Sequence, residues 1–330
     1  PFYVYVTAIA GLGNYYHNQY NEGNRDVIGV LGAEEANLLH ARHLAITYDW
    51  FDSIISTMQG LRMLYDHNGR RAAWARLVAE IVPLFVDPAS DGPLPGRADQ
   101  WELVTDYRVR LAQESRDWGE AERLQHIRVE WDRPRASAAL LVPPANLDAT
   151  HRHLIRMLGV ALTQLAQIQM SLGQAECMAA YEEAATLYQH IADQVAEAVA
   201  AFNLGHAYMN IPTIRDLDQA ERWYNRSLEL VDERDRLGRG QTLGQLGFVA
   251  YERFRDARTA EQPDQTELLR LLNVALNFYL QALELTPANA VDTRAAIHNQ
   301  LGNIYDDAIQ AKGAASVSYT HLTQPTNREV

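Results

Sequence analysis

The stretch Ala201–Leu230, A-F-N-L-G-H-A-Y-M-N-I-P-T-I-R-D-L-D-Q-A-E-R-W-Y-N-R-S-L-E-L, decides how this chain folds. Leu204, Gly205 and Tyr208 fall at i, i+1 and i+4, which puts a large, a small and an aromatic residue on one face of a 3.6-residue period. Ala220, Tyr224 and Ser227 fall at i, i+4 and i+7, again one helical face. Gly205 and Ala220 are small enough for two helix axes to approach closely, and Tyr208 and Tyr224 fill the space beside them. Pro212 and the Asp216–Asp218 cluster end the first helix and start the second.

The same pair of patterns recurs on both sides of this stretch. Leu165-Ala166, Leu204-Gly205, Leu246-Gly247 and Leu301-Gly302 occupy one position, spaced from 39 to 55 residues apart. Cys177/Tyr181/Ala184, Ala220/Tyr224/Ser227 and Ala275/Tyr279/Ala282 occupy the paired one, each with offsets of 4 and 7. Pro287 follows Ala275 by 12 residues, and loops near Pro212 and over 257–266 absorb the extra length.

This spacing resembles the tetratricopeptide (TPR) signature, a helix–turn–helix unit with L-G-x-x-Y in one helix and A-x-x-x-F/Y-x-x-A in the other. The resemblance covers about 150–308 and, in degenerate form, 34–131. It implies an all-α fold in which TPR-like helical hairpins stack into an α-solenoid.

In the degenerate part a helix opens after Ala33, with Ala36, Leu39, Ala41 and Leu44 expected on its buried side. A second runs through Trp50, Ile54, Met58, Leu61 and Tyr65 to a left-handed cap at Gly69, and Trp74, Val78 and Ile81 continue the period. Residues 87–98 are rich in Pro and Gly and read as a loop. Trp101, Val104 and Leu111 mark the next helix, followed by an N-cap at Asp117 with Trp118 and Ala121 facing inward. The expected divisions are therefore 1–33, the Tyr-rich end of an upstream helical segment with a turn at Asn21–Gly23; 34–131, degenerate repeats; 132–149, a linker; 150–311, TPR repeats, the last truncated; and 312–330, a tail without helical period that reads as non-native sequence. On this reading the chain is an internal fragment of a longer protein.

Hydrophobic residues make up 47% of the chain, enough for a packed core. The formal net charge of −13 makes a phosphate backbone a poor general partner, so nucleic acid is not expected. Cys177 is the single cysteine, which excludes an intramolecular disulfide and favours a reducing compartment, the cytoplasm. No apolar run is long enough to span a bilayer, and no membrane partner is expected.

Nothing matches G-x-x-x-x-G-K-S/T or G-x-S-x-G, and Gly11-Leu12-Gly13 reads as a helix end. His40 and His43 lie three apart on one helix, but a third ligand at metal spacing is missing; His151 and His153 point to different faces. Cys177 takes the small-residue slot of its repeat and reads as a packed thiol. The chain is therefore expected to be no enzyme and to hold no cofactor or metal; a metal-dependent enzyme near His40 and His43 is the minor alternative.

One set of residues stands apart. In TPR arrays the first helix of each hairpin lines a concave groove. Just before each Leu of the Leu-Gly position stand Gln164, Asn203, Gln245 and Gln300; just after each Gly (Ala166 in the first unit) stand Gln167, His206, Phe248 and Asn303. A ladder of amides can hydrogen-bond an extended peptide, because Asn and Gln offer donor and acceptor together. The plainer alternative is that these amides bond neighbouring helices. TPR families that clamp a terminal carboxylate place Lys and Arg here, and this sequence does not.

Glu34-Glu35-Ala36-Asn37-Leu38-Leu39-His40-Ala41 resembles the helix that opens the TPR region of bacterial signal-transduction ATPases of the STAND (NB-ARC-like) class. That resemblance implies a sensor and autoinhibitory region, bacterial and cytoplasmic, lying downstream of an ATPase. The expected function is a protein- or peptide-binding module of such a regulator, with a stand-alone TPR scaffold as the alternative.

Overall fold

The computed structural model describes residues 2–21 and 23–313; the tail expected to be non-native lies outside the described residues from 314 onward. Fourteen α-helices and no extended strand occur among the described residues, an all-α array of helical hairpins. The chain divides into two compact units after Asp132.

The first unit contains α1 (Phe2–Asn21), α2 (Val27–Ala33), α3 (Glu35–Thr47), α4 (Phe51–His67), α5 (Arg71–Phe85), α6 (Ala98–Glu114) and the first part of α7 (Trp118–Leu140). Its core is built on α4, where Ile54, Met58, Leu61 and Tyr65 are all buried. Gly69 follows at φ +65°, in the left-handed region the sequence required. Trp74, Val78 and Ile81 are buried on α5, and Trp74 meets Tyr107 edge to face at 5.1 Å. Asp117 caps α7 by accepting from the Glu120 amide at 3.1 Å.

Two expectations for this unit are corrected. Gly11-Leu12-Gly13 is no helix end, because α1 runs on to Asn21. Gly13 is instead the point where α1 crosses α4: a Cβ on Gly60 would lie 2.9 Å from the Gly13 Cα, and one on Gly13 would lie 2.8 Å from the Ser56 carbonyl oxygen. Two glycines let the backbones touch.

The buried side of α3 is Leu38, Ala41, Arg42 and Ala45, with Ala36 exposed and Leu39 and Leu44 only half-buried. A hydrophobic count could not find this face, because one of its members is charged. Arg42 is 4% exposed and donates to the Leu77 carbonyl at 2.7 Å and to Glu80 at 2.8 Å. Its stem packs like an apolar residue while its head is satisfied by α5.

The second unit holds the end of α7 and then α8 (Ala149–Ser171), α9 (Cys177–His190), α10 (Gln194–Asn210), α11 (Leu217–Leu230), α12 (Arg236–Arg258), α13 (Gln265–Leu285) and α14 (Val291–Gly313). The linker expected over 132–149 is helical as far as Leu140, leaving only 141–148 without α-helix. Pro134 sits inside α7 without ending it, since Ala136 and Ala139 beyond it are buried. The Ser137 hydroxyl also donates to the Arg133 carbonyl at 2.7 Å.

Here the repeated pattern becomes one repeated contact. A Cβ on Gly205 would lie 2.6 Å from the Tyr224 ring, and one on Gly247 would lie 2.9 Å from the Tyr279 ring. In the α8–α9 hairpin the close approach is Gly159 against Tyr188, where a Cβ would come to 2.7 Å. Ala166, seven residues after Gly159, and Tyr181, seven residues before Tyr188, are both fully buried. Tyr188, Tyr224 and Tyr279 each press a ring against a glycine, so the small slot and the aromatic are halves of one joint.

The helix ends are repeated too. Asp148, Asp193, Asp216, Asp235 and Asp264 each accept a backbone N–H at the start of a helix. Arg239 on α12 donates to the Leu228 and Val231 carbonyls closing α11, and Arg294 on α14 donates to those of Leu283 and Thr286 closing α13. Both arginines stand eight residues before the glycine of their repeat, so R-x6-L-G is a second signature in the sequence.

Candidate binding cleft

Three first helices of the second unit, α10, α12 and α14, enclose a cleft of about 480 Å³. α10 contributes Phe202, His206 and Asn210; α12 contributes Gly240, Gln241, Gly244, Gln245 and Phe248. α14 adds Thr293, Ala296, Ile297 and Gln300, and Tyr279 of α13 reaches it from behind. The volume falls within the range of ligand sites in proteins.

Of the eight groove residues expected from the sequence, His206, Gln245, Phe248 and Gln300 line this cleft, whereas Gln164, Gln167, Asn203 and Asn303 do not. Gln167 is exposed on α8, and the Asn203 Nδ2 is buried with no hydrogen-bond partner among the described residues. Asn303 is exposed and donates to Gln300 at 3.5 Å. Gln164 and Gln167 stand on α8, which contributes nothing to the cleft, and for Asn203 and Asn303 the cause is a drift in helix rotation. The residue facing the cleft is the one after glycine on α10, both flanking residues on α12, and only the one before leucine on α14. A fixed offset from Leu-Gly assumes identical hairpins, and these differ in length.

Sequence reasoning missed Phe202, Asn210, Gln241, Gly244, Thr293 and Ile297. Their signal was present as periodicity: 202/206/210, 241/245/248 and 293/297/300 each recur at helical offsets.

None of the lining residues is Asp, Glu, Lys or Arg. Burial alone pushes the His206 pKa below its ordinary value, so the imidazole is neutral at pH 7. Its ring meets Phe202 at 4.7 Å and Tyr224 at 5.7 Å, both edge to face. Beneath Gly244 a Cβ would meet nothing within 4 Å, so this glycine widens the cleft without easing any internal contact.

Elsewhere, His40 lies 5.8 Å from the Tyr5 ring, and no cluster of three His, Cys, Asp or Glu side chains occurs among the described residues. Cys177 is fully buried, which pushes its thiol up to about 11. No described helix is long and apolar enough to cross a membrane.

No protein-family model matches this chain, and no curated protein matches it. Among solved structures it is similar to BtubC (BKLC) from P. vanneervenii, at 14% identity and a TM-score of 0.45, over 91% of this chain and 96% of that one. It is also similar to human IFIT1, solved as a dimer with m7Gppp-AAAA, at 14% identity and a TM-score of 0.34, over 94% of this chain and 68% of that one.

The exclusion of nucleic acid drawn from net charge is withdrawn, since the second of these structures was solved with m7Gppp-AAAA. Net charge sums over a whole surface, whereas a ligand meets one site.

Proposed function

We propose that the second unit is a binding module that takes a peptide segment of another protein into the cleft between α10, α12 and α14. The observation that carries this reading is the convergence of four uncharged amide side chains from three helices, Asn210, Gln241, Gln245 and Gln300, around the Phe202 and Phe248 rings. Amides supply both donor and acceptor to the polar groups of a bound segment, and the rings supply apolar area at low entropic cost. The module carries no catalytic step of its own.

The finer reading, a sensor and autoinhibitory region of a larger bacterial signalling regulator, rests on the Glu34–Ala41 resemblance. In α3 that segment presents Leu38 and Ala41 to the core.

The test is binding of peptides selected on the full chain from a random 16-residue display library. Gln245→Ala with Gln300→Ala should weaken the selected peptides at least tenfold with unchanged helicity. Unaltered affinity, or failure to select any peptide, would reject the cleft as a peptide site.

A further inference from the structure

α10 is an apolar helix covered almost all round. Ala198, Ala200, Ala201, Leu204, Gly205, Ala207 and Met209 are buried, and even Glu197 is only 8% exposed. One line of apolar and aromatic residues is left open: Val195 is 76% exposed and Val199 49%, followed by half-buried Phe202 and His206. These four fall at successive steps of 4, 3 and 4 residues, the seam spacing of a helix that packs along another helix.

The line lies along a continuous trough. Val195, Val199 and Phe202 line a groove of about 290 Å³ closed by Leu230 and Val231 of the α11 end and by Gln241 and Thr242 of α12. Phe202 and Gln241 belong equally to the 480 Å³ cleft, so the two cavities meet there. From Val195 to Asn210 the trough follows α10 for about 22 Å, at 1.5 Å per residue, or four helical turns. Among the described residues the only charged ones lining either cavity are Asp232 and Asp235, both in the groove lined by Val195.

We infer that the trough receives an amphipathic helix of about 15 residues from a partner protein, lying along α10. This deepens the peptide-binding reading and rests on it. The occupant carries apolar residues at i, i+4, i+7 and i+11 toward Val195, Val199, Phe202 and His206, and no charge on that face. Its basic or N-terminal end sits at Asp232 and Asp235, where carboxylates complement a positive helix end. Gly244 leaves room for the helix where α12 faces it, at the expense of helix propensity in α12.

The selected 16-residue peptides decide the matter. Expected are apolar residues recurring at 3 and 4, a basic residue toward one end, and at least tenfold weaker binding when the central residue is replaced by Pro. Val199→Asp and Val195→Asp, at exposed positions, should each weaken binding at least tenfold with helicity retained.

Peptides with alternating or Pro-rich patterns that still lose affinity in the Gln245→Ala, Gln300→Ala variant would overturn the helix and leave the peptide reading standing. Affinity unaffected by that variant would remove the site itself. A chain that sediments as a dimer and becomes monomeric with Val199→Asp would show that a second copy covers the trough, and would also overturn the inference.

Discussion

The two units solve the same problem, packing helices edge to edge, in opposite ways. In the second unit one joint, a tyrosine ring over a small residue, is used hairpin after hairpin, with Asp at the starts of helices and Arg239 or Arg294 at their ends. In the first unit each contact is individual: Gly13 against Gly60, Arg42 under α5, Trp74 against Tyr107, and the 86–97 loop tied by Asp91 to Arg108 and Arg123 at 2.8 Å each. Repetition leaves a long open surface that one helix after another can shape. Individual contacts close a core but leave no register for a reader of sequence to follow.

Enlarging the small residue in each unit separates the two kinds of contact. Gly60→Leu sets a side chain against backbone that cannot yield, and should exceed the roughly 1–3 kcal/mol usual for overpacking. Gly205→Leu meets the Tyr224 ring, and should fall within about 1–3 kcal/mol, both read by urea denaturation. Equal losses would mean that the glycine crossing in the first unit is no tighter than the ring joint.

The next largest effect concerns arginine. Arg42→Met removes a buried donor from the Leu77 carbonyl and should cost about 1–3 kcal/mol. Arg294→Met removes a half-buried cap from the end of α13 and should cost about 0.5–1.5 kcal/mol. A reversed order would show that the repeated caps, rather than the buried arginine, hold their unit together.

A smaller change of opposite sign comes from Gly302, which keeps the repeat's glycine but has nothing within 4 Å of where a Cβ would stand. Gly302→Ala should stabilise by about 0.5–1 kcal/mol, since helix propensity is gained and no ring is displaced. Destabilisation instead would imply a partner surface over this glycine.

The smallest effect is in pH. His17 in the first unit and His206 in the second both have lowered pKa values, so each resists protonation in the folded state. As pH falls through the ordinary value of 6.5 the unfolded chain takes up the proton first, and stability declines until the folded form is protonated too. Above that value neither contributes. Burial is the whole cause at His206, whereas at His17 burial is reinforced by the charges of Arg62 and Arg110. The pH dependence removed by His17→Gln should therefore shrink in high salt, and that removed by His206→Gln should not. Thermal melts of both variants from pH 5 to 8 at two salt concentrations would check this.

The class of fold and two joints of the second unit, Gly205 with Tyr224 and Gly247 with Tyr279, were legible in the sequence, whereas Gly159 with Tyr188 was not. Leu-Gly and the 4-and-7 offsets of Tyr224 and Tyr279 are local consequences of a 3.6-residue period, and local periods survive in a string of letters. The Gly69 cap, the Asp117 cap and the buried positions of α4 and α5 were legible for the same reason. Only the tertiary structure decided which face of each helix looks outward. That depends on the crossing between neighbouring helices, set by hairpins of unequal length. It turned Asn203 away while bringing Phe202 and His206 round, and it placed a charged Arg42 where a hydrophobic count expects none. A helix period fixes spacing around an axis; the zero of that angle is set by what the helix packs against.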